Sequence, residues 1–132
     1  MVEQREILFV CVENAGRSQM AEIFAKRRGL KASSAGTIPS ARVNPLVVEV
    51  MREKGEDLST KTPKMLSPEM IDRASLVVTM GCSVEEACPR PMQAMLQKKL
   101  IDWNLEDPKN KPIEEVRRIR DSIEKLVAGL VV

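Results

Sequence analysis

Short apolar runs alternate with amphipathic segments along this chain. The segment Arg5–Val10 holds an apolar run too short for a helix, and Ser75–Met80 holds another. Such runs are typical of parallel strands that are buried on both faces. Shorter strands are predicted at Leu30–Ser34 and Lys99–Trp103. The pattern therefore predicts four strands separated by helical segments.

Helix signals lie between these strands. An amphipathic helix is predicted from Ser18 to the terminator Gly29. Asn44 followed by proline marks a second helix start and Gly55 its end, while Ser67, again followed by proline, marks a third start. A long final helix is indicated by apolar residues at three- and four-residue steps, namely Ile113, Val116, Ile119, Ile123, Leu126, Val127 and Leu130.

Strands that alternate with helices predict an open, mostly parallel α/β sheet. No repeat, low-complexity stretch or linker interrupts the chain, so residues 1–132 are expected to form one domain. Ligands of such sheets bind beyond the carboxyl ends of the strands. Cys11, the segment around Cys82 and the stretch that contains Asp107 all follow predicted strands.

Composition narrows the class of function. The 132 residues carry a net charge of only +2, which gives no basic footprint for nucleic acid or a membrane surface. No apolar stretch approaches the ~20 residues of a membrane span, and no signal peptide is recognisable. We therefore expect a cytoplasmic protein, in which cysteines act as reactive thiols rather than structural disulfides. The absence of histidine excludes histidine-based zinc sites, Ser-His-Asp triads and Cys-His dyads.

The loop after the first strand has the composition of an oxyanion cradle. A strand that leads into a helix directs backbone N–H groups, together with the helix dipole, into one concavity. The cradle is expected to hold a tetrahedral anion above the Cys11 thiolate, with Arg17 binding two of its oxygens and Ser18 donating to the thiolate. The alternative is that Cys11 is a small buried apolar residue. The predicted loop comprises Val12, Glu13, Asn14, Ala15, Gly16, Arg17 and Ser18.

Several motifs occur in a recognisable order. They are C-x5-R-S within "CVENAGRSQMAE", then "SAGT", "VNPLVVEVMREKGEDLS" and "VVTMGC". Together they resemble the low-molecular-weight protein tyrosine phosphatase superfamily, and the first motif is similar to its thioredoxin-coupled arsenate reductase branch. The resemblance implies a single-domain, four-stranded parallel sheet with helices on both faces and flavodoxin-like topology.

The resemblance also assigns an acid. Members protonate the leaving oxygen with the aspartate of an Asp-Pro pair, which here is Asp107; Glu106 and Asp102 are nearby competitors. The tyrosine phosphatases place an aromatic residue after this pair and a cysteine before the loop arginine. This chain has Lys109 and Gly16 at those positions, which favours the reductase branch.

Cys82 and Cys88 decide whether the sequence predicts a reductase or a phosphatase. The resemblance implies that Cys11 forms a thiol–arsenate adduct, that Cys82 attacks Cys11 and releases arsenite, and that Cys88 then draws the disulfide outward to a thioredoxin-like donor. Five residues separate Cys82 from Cys88, whereas the best-known relatives have six. Three cysteines without histidine do not complete a closed zinc site, and two inert thiols are the other alternative.

No cofactor or metal is expected. Some reductases of this kind bind potassium, and Asn14, Glu22 and Ser34 could match that site, but no matching acid follows Leu58. The predicted activity is arsenate reduction. The alternatives are a tyrosine phosphatase in which Cys11 forms a phosphoenzyme, and a non-catalytic oxyanion or redox sensor.

Overall fold

A computed structural model describes residues 6–80 and 100–130. The strands are β1 (Glu6–Cys11), β2 (Lys31–Gly36), β3 (Ala74–Thr79) and β4 (Leu100–Asp102). The helices are α1 (Arg17–Arg27), α2 (Pro45–Arg52), α3 (Pro68–Arg73) and α4 (Ile113–Ala128). Within these two ranges no helix is both long and apolar enough to cross a membrane.

All four strands are parallel and lie in the order β2-β1-β3-β4. The predicted fold class is therefore confirmed, and the strand order is the one expected for flavodoxin-like topology. At its carboxyl end β1 pairs Cys11 with Gly36 of β2, and its other edge pairs Val10 with Thr79 of β3.

The apolar run of β1 lies at the centre of the core. Ile7, Leu8, Phe9 and Val10 are each 0% exposed, because neighbouring strands cover both edges and helices cover the sheet. Helix α1 packs against β1, β2 and α4, while α3 contacts β1 and β3. A strand buried in this way is a rigid base for the loop that follows it.

Helix starts follow the predicted capping residues. The Asn44 side chain accepts a hydrogen bond from the Leu46 N–H at 2.9 Å, and Ser67 accepts from the Met70 N–H at 3.3 Å. Helix α2 ends at Arg52 rather than at Gly55. The chain unwinds there through a turn in which the Gly55 N–H donates to the Arg52 carbonyl at 2.9 Å, with Gly55 at φ +79°.

The chain connections place the first loop at a topological switch point. After β1 the chain crosses to one neighbour, β2, and then returns past β1 to its other neighbour, β3. Loops that leave adjacent strands in opposite directions open a crevice at their carboxyl ends. Cys11 ends β1 at this crevice.

Charged side chains join α4 to the end of α2. Arg117 forms two hydrogen bonds to the Glu53 carboxylate through Nε, at 3.1 and 3.0 Å, and Arg120 donates to Glu53 at 2.6 Å. Arg120 also donates to the Val50 carbonyl at 2.9 Å. Hydrogen bonds first from Arg117 and then from Arg120 lower the pKa of Glu53 to about 2.

We predict that Glu53→Gln makes stability less dependent on acid pH. Because the folded-state pKa of Glu53 lies below its ordinary value of 4.5, its contribution is present above about pH 4.5 and is lost as pH falls towards 2. The free energy of unfolding, measured by urea titration across this window, should therefore change less steeply with pH in the variant. Glu69→Gln, which removes an exposed carboxylate on α3, is the control. Equal slopes for wild type and Glu53→Gln would contradict the prediction.

Candidate active site

Cys11 lies at the base of a cup formed by the loop between β1 and α1. Its thiol is 3% exposed and accepts the Asn14 N–H at 3.1 Å. Ser18 Oγ lies 2.9 Å from Cys11 Sγ. Two polar contacts converge on the sulfur, so Cys11 is not held by apolar contacts alone.

The side chain of Asn14 determines the direction of these hydrogen bonds. Asn14 Oδ1 accepts from Gln19 Nε2 at 3.1 Å and from the Lys64 N–H at 2.9 Å, so this atom is the carbonyl oxygen. Asn14 Nδ2 then donates to Ser18 Oγ at 2.7 Å. The single hydroxyl hydrogen of Ser18 is left to donate to Cys11 Sγ, an arrangement that stabilises the thiolate.

Asn14 also provides the turn of the loop. It adopts φ +52° in the left-handed region and is 0% exposed. Asparagine tolerates this conformation better than most residues other than glycine. The loop conformation and the hydrogen bonds to Ser18 therefore depend on the same residue.

Arg17 is the first residue of α1, and its guanidinium is held by carbonyl groups of other segments. One terminal nitrogen donates to the Met80 carbonyl at the end of β3 and to the Leu105 carbonyl, the latter at 2.9 Å. The other terminal nitrogen lies 3.7 Å from Asp107 Oδ2. Arg17, which follows β1, is thus joined to the segments that follow β3 and β4.

Asp107 is the one of the three candidate acids that lines the cavity. Its side chain is 57% exposed, and its Oδ1 accepts the Lys109 N–H at 3.0 Å. Asp102 instead accepts from Thr79 Oγ1 at 3.0 Å, and Glu106 pairs with Arg118 at 3.0 Å. The structure therefore places Asp107, rather than its competitors, beside Arg17.

Gly16 allows the Asp-Pro segment to approach the cup. A Cβ at this position would lie 2.9 Å from Cγ of Pro108, which is a rigid ring atom. Gly36 plays a similar part on the other side, since its Cβ would lie 2.5 Å from the Val12 carbonyl oxygen. A cysteine in place of Gly16, as the tyrosine phosphatases have it, would therefore clash with Pro108 in this chain.

The cup opens into a cavity of about 190 Å³. Glu13 and Lys109 lie on its rim and form an ion pair of 2.9 Å. The hydrogen bond that Lys109 donates to Glu13 is the main cause that raises the pKa of Lys109. No aromatic residue of the described ranges lines the cavity, and Trp103 packs instead on Phe9 with ring centroids 5.7 Å apart. The lining residues are Cys11, Val12, Glu13, Ala15, Gly16, Arg17, Ser40, Arg42, Val43, Asn44, Pro45, Asp107, Pro108 and Lys109.

Sequence reasoning missed the supports of the loop. Gln19 is 1% exposed and donates to both Asn14 oxygens, and the Lys64 N–H reaches Asn14 from a distant segment. A glutamine on the buried face of a predicted helix was the available signal for Gln19. No sequence signal pointed to the backbone groups of Lys64, Met80 or Leu105, because main-chain groups carry no residue identity.

Glu22 and Ser34, two of the candidate residues for a potassium site, lie in contact. The Ser34 hydroxyl donates to Glu22 at 2.6 Å, while the ammonium groups of Lys26 and Lys64 lie 2.7 and 3.7 Å from the carboxylate. Burial raises the pKa of Glu22, but the hydrogen bonds from Lys26 and Ser34 and the charge of Lys64 lower it overall. The Glu22 charge is thus balanced by lysines of the same chain. In residues 6–80 and 100–130 no group of three or more cysteine or carboxylate side chains is placed to hold a metal ion.

Cys82 and Cys88 lie outside the described residues. Their predicted part in a relay therefore stays a prediction.

Comparison with known proteins identifies the family. Residues 6–132 match the family model described as low molecular weight phosphotyrosine protein phosphatase. The chain belongs to this family. The resemblance seen in the sequence is thereby confirmed.

Named relatives of this phosphatase family extend the comparison. A Halobacterium salinarum protein, provisionally named an arsenate reductase, is 43% identical over 130 residues, which cover 92% of this chain and 87% of that protein. The glutaredoxin arsenate reductase of Synechocystis is 34% identical, with 96% of each chain covered.

Two solved structures of similar fold are named for different activities. An arsenate reductase in the phosphate-binding state is 33% identical, with a TM-score of 0.81 and 95% of each chain covered. The arginine phosphatase YwlE of Geobacillus stearothermophilus is 27% identical, with a TM-score of 0.83, and the match covers 94% of this chain and 88% of that one.

We predict that Ser18→Ala slows alkylation of Cys11 at pH 7 by about tenfold, because the thiolate loses a charge-assisted hydrogen bond. The rate of reaction with iodoacetamide should be measured in a Cys82→Ser, Cys88→Ser background, where Cys11 is the single thiol. Ser33→Ala on β2 is the matched control and should react like the parent. An unchanged rate in Ser18→Ala would show that the hydroxyl does not support the thiolate.

We predict that Gly16→Ala lowers turnover more than it weakens anion binding. The added Cβ would contact the Pro108 ring and displace Asp107, while Cys11 and Arg17 keep their places. Turnover of p-nitrophenyl phosphate should fall about tenfold or more, whereas the inhibition constant of inorganic phosphate should change less than threefold, since a displacement of ~1 Å already costs large factors in rate. Gly129→Ala, where a Cβ meets nothing closer than 3.6 Å, is the control. An equal loss of turnover and of affinity for inorganic phosphate would point to general distortion of the cup.

Proposed function

We propose that this protein is an arsenate reductase that uses Cys11 as its nucleophile. The observation that carries the proposal is the cup itself, in which Ser18 and the Asn14 N–H converge on Cys11 Sγ beneath a cavity that also holds Arg17 and Asp107. A tetrahedral oxyanion bound there would meet the thiolate and the guanidinium together.

The lining of the cavity favours a bare oxyanion. No ring in the described part of the chain is placed to stack on a phenyl group, and the Glu13–Lys109 pair joins the two sides of the rim. The names of the Halobacterium and Synechocystis relatives and of one similar structure support the same choice.

The first step would join the Cys11 thiolate to arsenic. The thiolate attacks arsenate, an oxygen leaves as water after Asp107 supplies a proton, and a Cys11 thiol–arsenate adduct remains. Arg17 would offset the charge of the arsenate oxygens during this step. Arsenic keeps its +5 state until a second thiol reacts.

Cys82 and Cys88 would complete the reaction by thiol–disulfide exchange. The Cys82 thiolate attacks Cys11 Sγ and forms a Cys11–Cys82 disulfide, and the electron pair of the S–As bond passes to arsenic, which leaves as arsenite. Cys88 then attacks Cys82 and frees Cys11 as a thiolate. A thioredoxin-like dithiol protein would reduce the Cys82–Cys88 disulfide, and the name of the Synechocystis relative brings glutaredoxin in as an alternative donor.

The expected assay result is oxidation of NADPH that requires all three cysteines. The reduced protein is mixed with arsenate, thioredoxin, thioredoxin reductase and NADPH, or with glutaredoxin, glutathione and glutathione reductase. We expect Cys11→Ser, Cys82→Ser and Cys88→Ser each to abolish steady turnover, at least a hundredfold below wild type. Ser33→Ala is the matched control, and replacing arsenate with phosphate should give no oxidation.

The second candidate is a phosphatase, which the family match and the YwlE structure favour. In that mechanism Cys11 would form a phosphoenzyme and Asp107 would protonate the leaving group. Turnover of phosphotyrosine peptides that is unaffected by Cys82→Ser, together with no arsenate reduction, would establish this alternative. Absence of both activities, with capture of a partner only after oxidation, would instead favour the sensor.

A further inference from the structure

Gln19 is a buried polar side chain that the proposed mechanism does not use. It is the third residue of α1, and its Nε2 donates to the Asn14 main-chain oxygen at 3.2 Å and to Asn14 Oδ1 at 3.1 Å. Both hydrogens of this amide nitrogen are therefore directed at one residue of the loop. Because a buried amide is stable only when it is hydrogen-bonded, the pairing fixes Gln19 and Asn14 to each other.

Two main-chain groups fix the direction of the hydrogen bonds around Asn14. The Lys64 N–H can only donate, so Asn14 Oδ1, which accepts it at 2.9 Å, is the carbonyl oxygen. The Asn14 main-chain oxygen can only accept, so the Gln19 atom that faces it is the amide nitrogen. Neither side-chain amide can be reversed without placing two oxygens, or two N–H groups, against each other.

The same series of hydrogen bonds ends at the nucleophile. With Oδ1 turned towards Gln19, Asn14 Nδ2 donates to Ser18 Oγ at 2.7 Å, and Ser18 Oγ lies 2.9 Å from Cys11 Sγ. All four side chains are buried, so bulk water has little access to replace any of them. A change at Gln19 is therefore transmitted to the sulfur through Asn14 and Ser18.

The route from Gln19 to Ser18 passes through the loop rather than along the helix. Ser18 and Gln19 are consecutive residues of α1, and consecutive side chains of a helix do not face each other. Asn14, which bonds to both, is the link between them.

We propose that Gln19 is a positioning residue for the nucleophile, which keeps the Ser18 hydroxyl directed at Cys11 by holding both oxygens of Asn14. It acts on the reacting sulfur through two other side chains and does not touch the substrate. The inference rests on the proposed role of Cys11 and adds a residue outside the cysteine–arginine loop. It applies equally to an arsenate and to a phosphate ester, because it concerns the thiolate before either binds.

The test is the pH dependence of Cys11 alkylation by iodoacetamide, measured in the Cys82→Ser, Cys88→Ser background. Gln19→Met keeps a side chain of similar length but has no N–H to donate. We expect the pH of half-maximal rate to rise by about half a unit to one unit, the scale of one net hydrogen bond. A glutamine that served stability alone would lower the free energy of unfolding on replacement and leave this pH unchanged.

A double-mutant cycle with Ser18→Ala tests the route. If Gln19 acts through the Ser18 hydroxyl, its replacement should move the half-maximal pH about half as far or less once that hydroxyl is absent. Phe24→Leu, which removes buried volume from the same helix, is the control and should lower stability without shifting this pH. Gln19→Glu, a variant of the same shape, presents oxygens to both Asn14 oxygens and should raise the half-maximal pH further.

Three results would overturn the proposal. They are an unchanged half-maximal pH in both Gln19 variants, equal shifts with and without the Ser18 hydroxyl, and an equal shift in Phe24→Leu. Alkylation requires neither arsenate nor an electron donor. Failure of arsenate reduction with the expected alkylation profiles would therefore count against the proposed function alone, whereas normal NADPH oxidation with no Gln19 effect would count against this inference alone.

Discussion

The site depends on the hydrogen bonds made by the side-chain amide of Asn14. It joins the start of α1 to a distant segment, because its oxygen accepts from Gln19 and from the Lys64 N–H while its nitrogen donates to Ser18. Leaving any one of these buried groups unpaired would cost about 1–3 kcal/mol. The same amide orients the Ser18 hydroxyl towards Cys11, so loop stability and thiolate stability are one constraint.

The remaining parts of the site are held by the sheet. Arg17 is anchored by carbonyls that follow β3 and β4, and Cys11 ends the buried strand β1 between β2 and β3. Gly16 lets Pro108 approach the cup and so brings Asp107 to the cavity. Positioning by packed strands and close backbone contacts explains how a cup without histidine can still bring together the Cys11 thiol, the Arg17 guanidinium and the Asp107 carboxylate.

Much of the fold could be predicted because burial leaves a direct mark on residue type. The apolar runs of β1 and β3 and the capping residues Asn44 and Ser67 predicted their elements within one or two residues. The end of α2 was less predictable, since Gly55 completes a turn that begins three residues earlier. Ends of helices are set by hydrogen bonds to carbonyl groups, which no side-chain pattern records.

The sequence by itself determined the order of strands and helices along the chain, the cysteine–arginine loop and the family to which it belongs. Only the tertiary structure decided how Asp107 comes to lie beside Arg17 and which groups hold Asn14. Spacing along the chain could not distinguish Asp107 from Asp102 or Glu106, because all three lie at or just after the end of β4. Their separation arises from contacts with Thr79 and Arg118, residues distant in sequence that folding alone brings near.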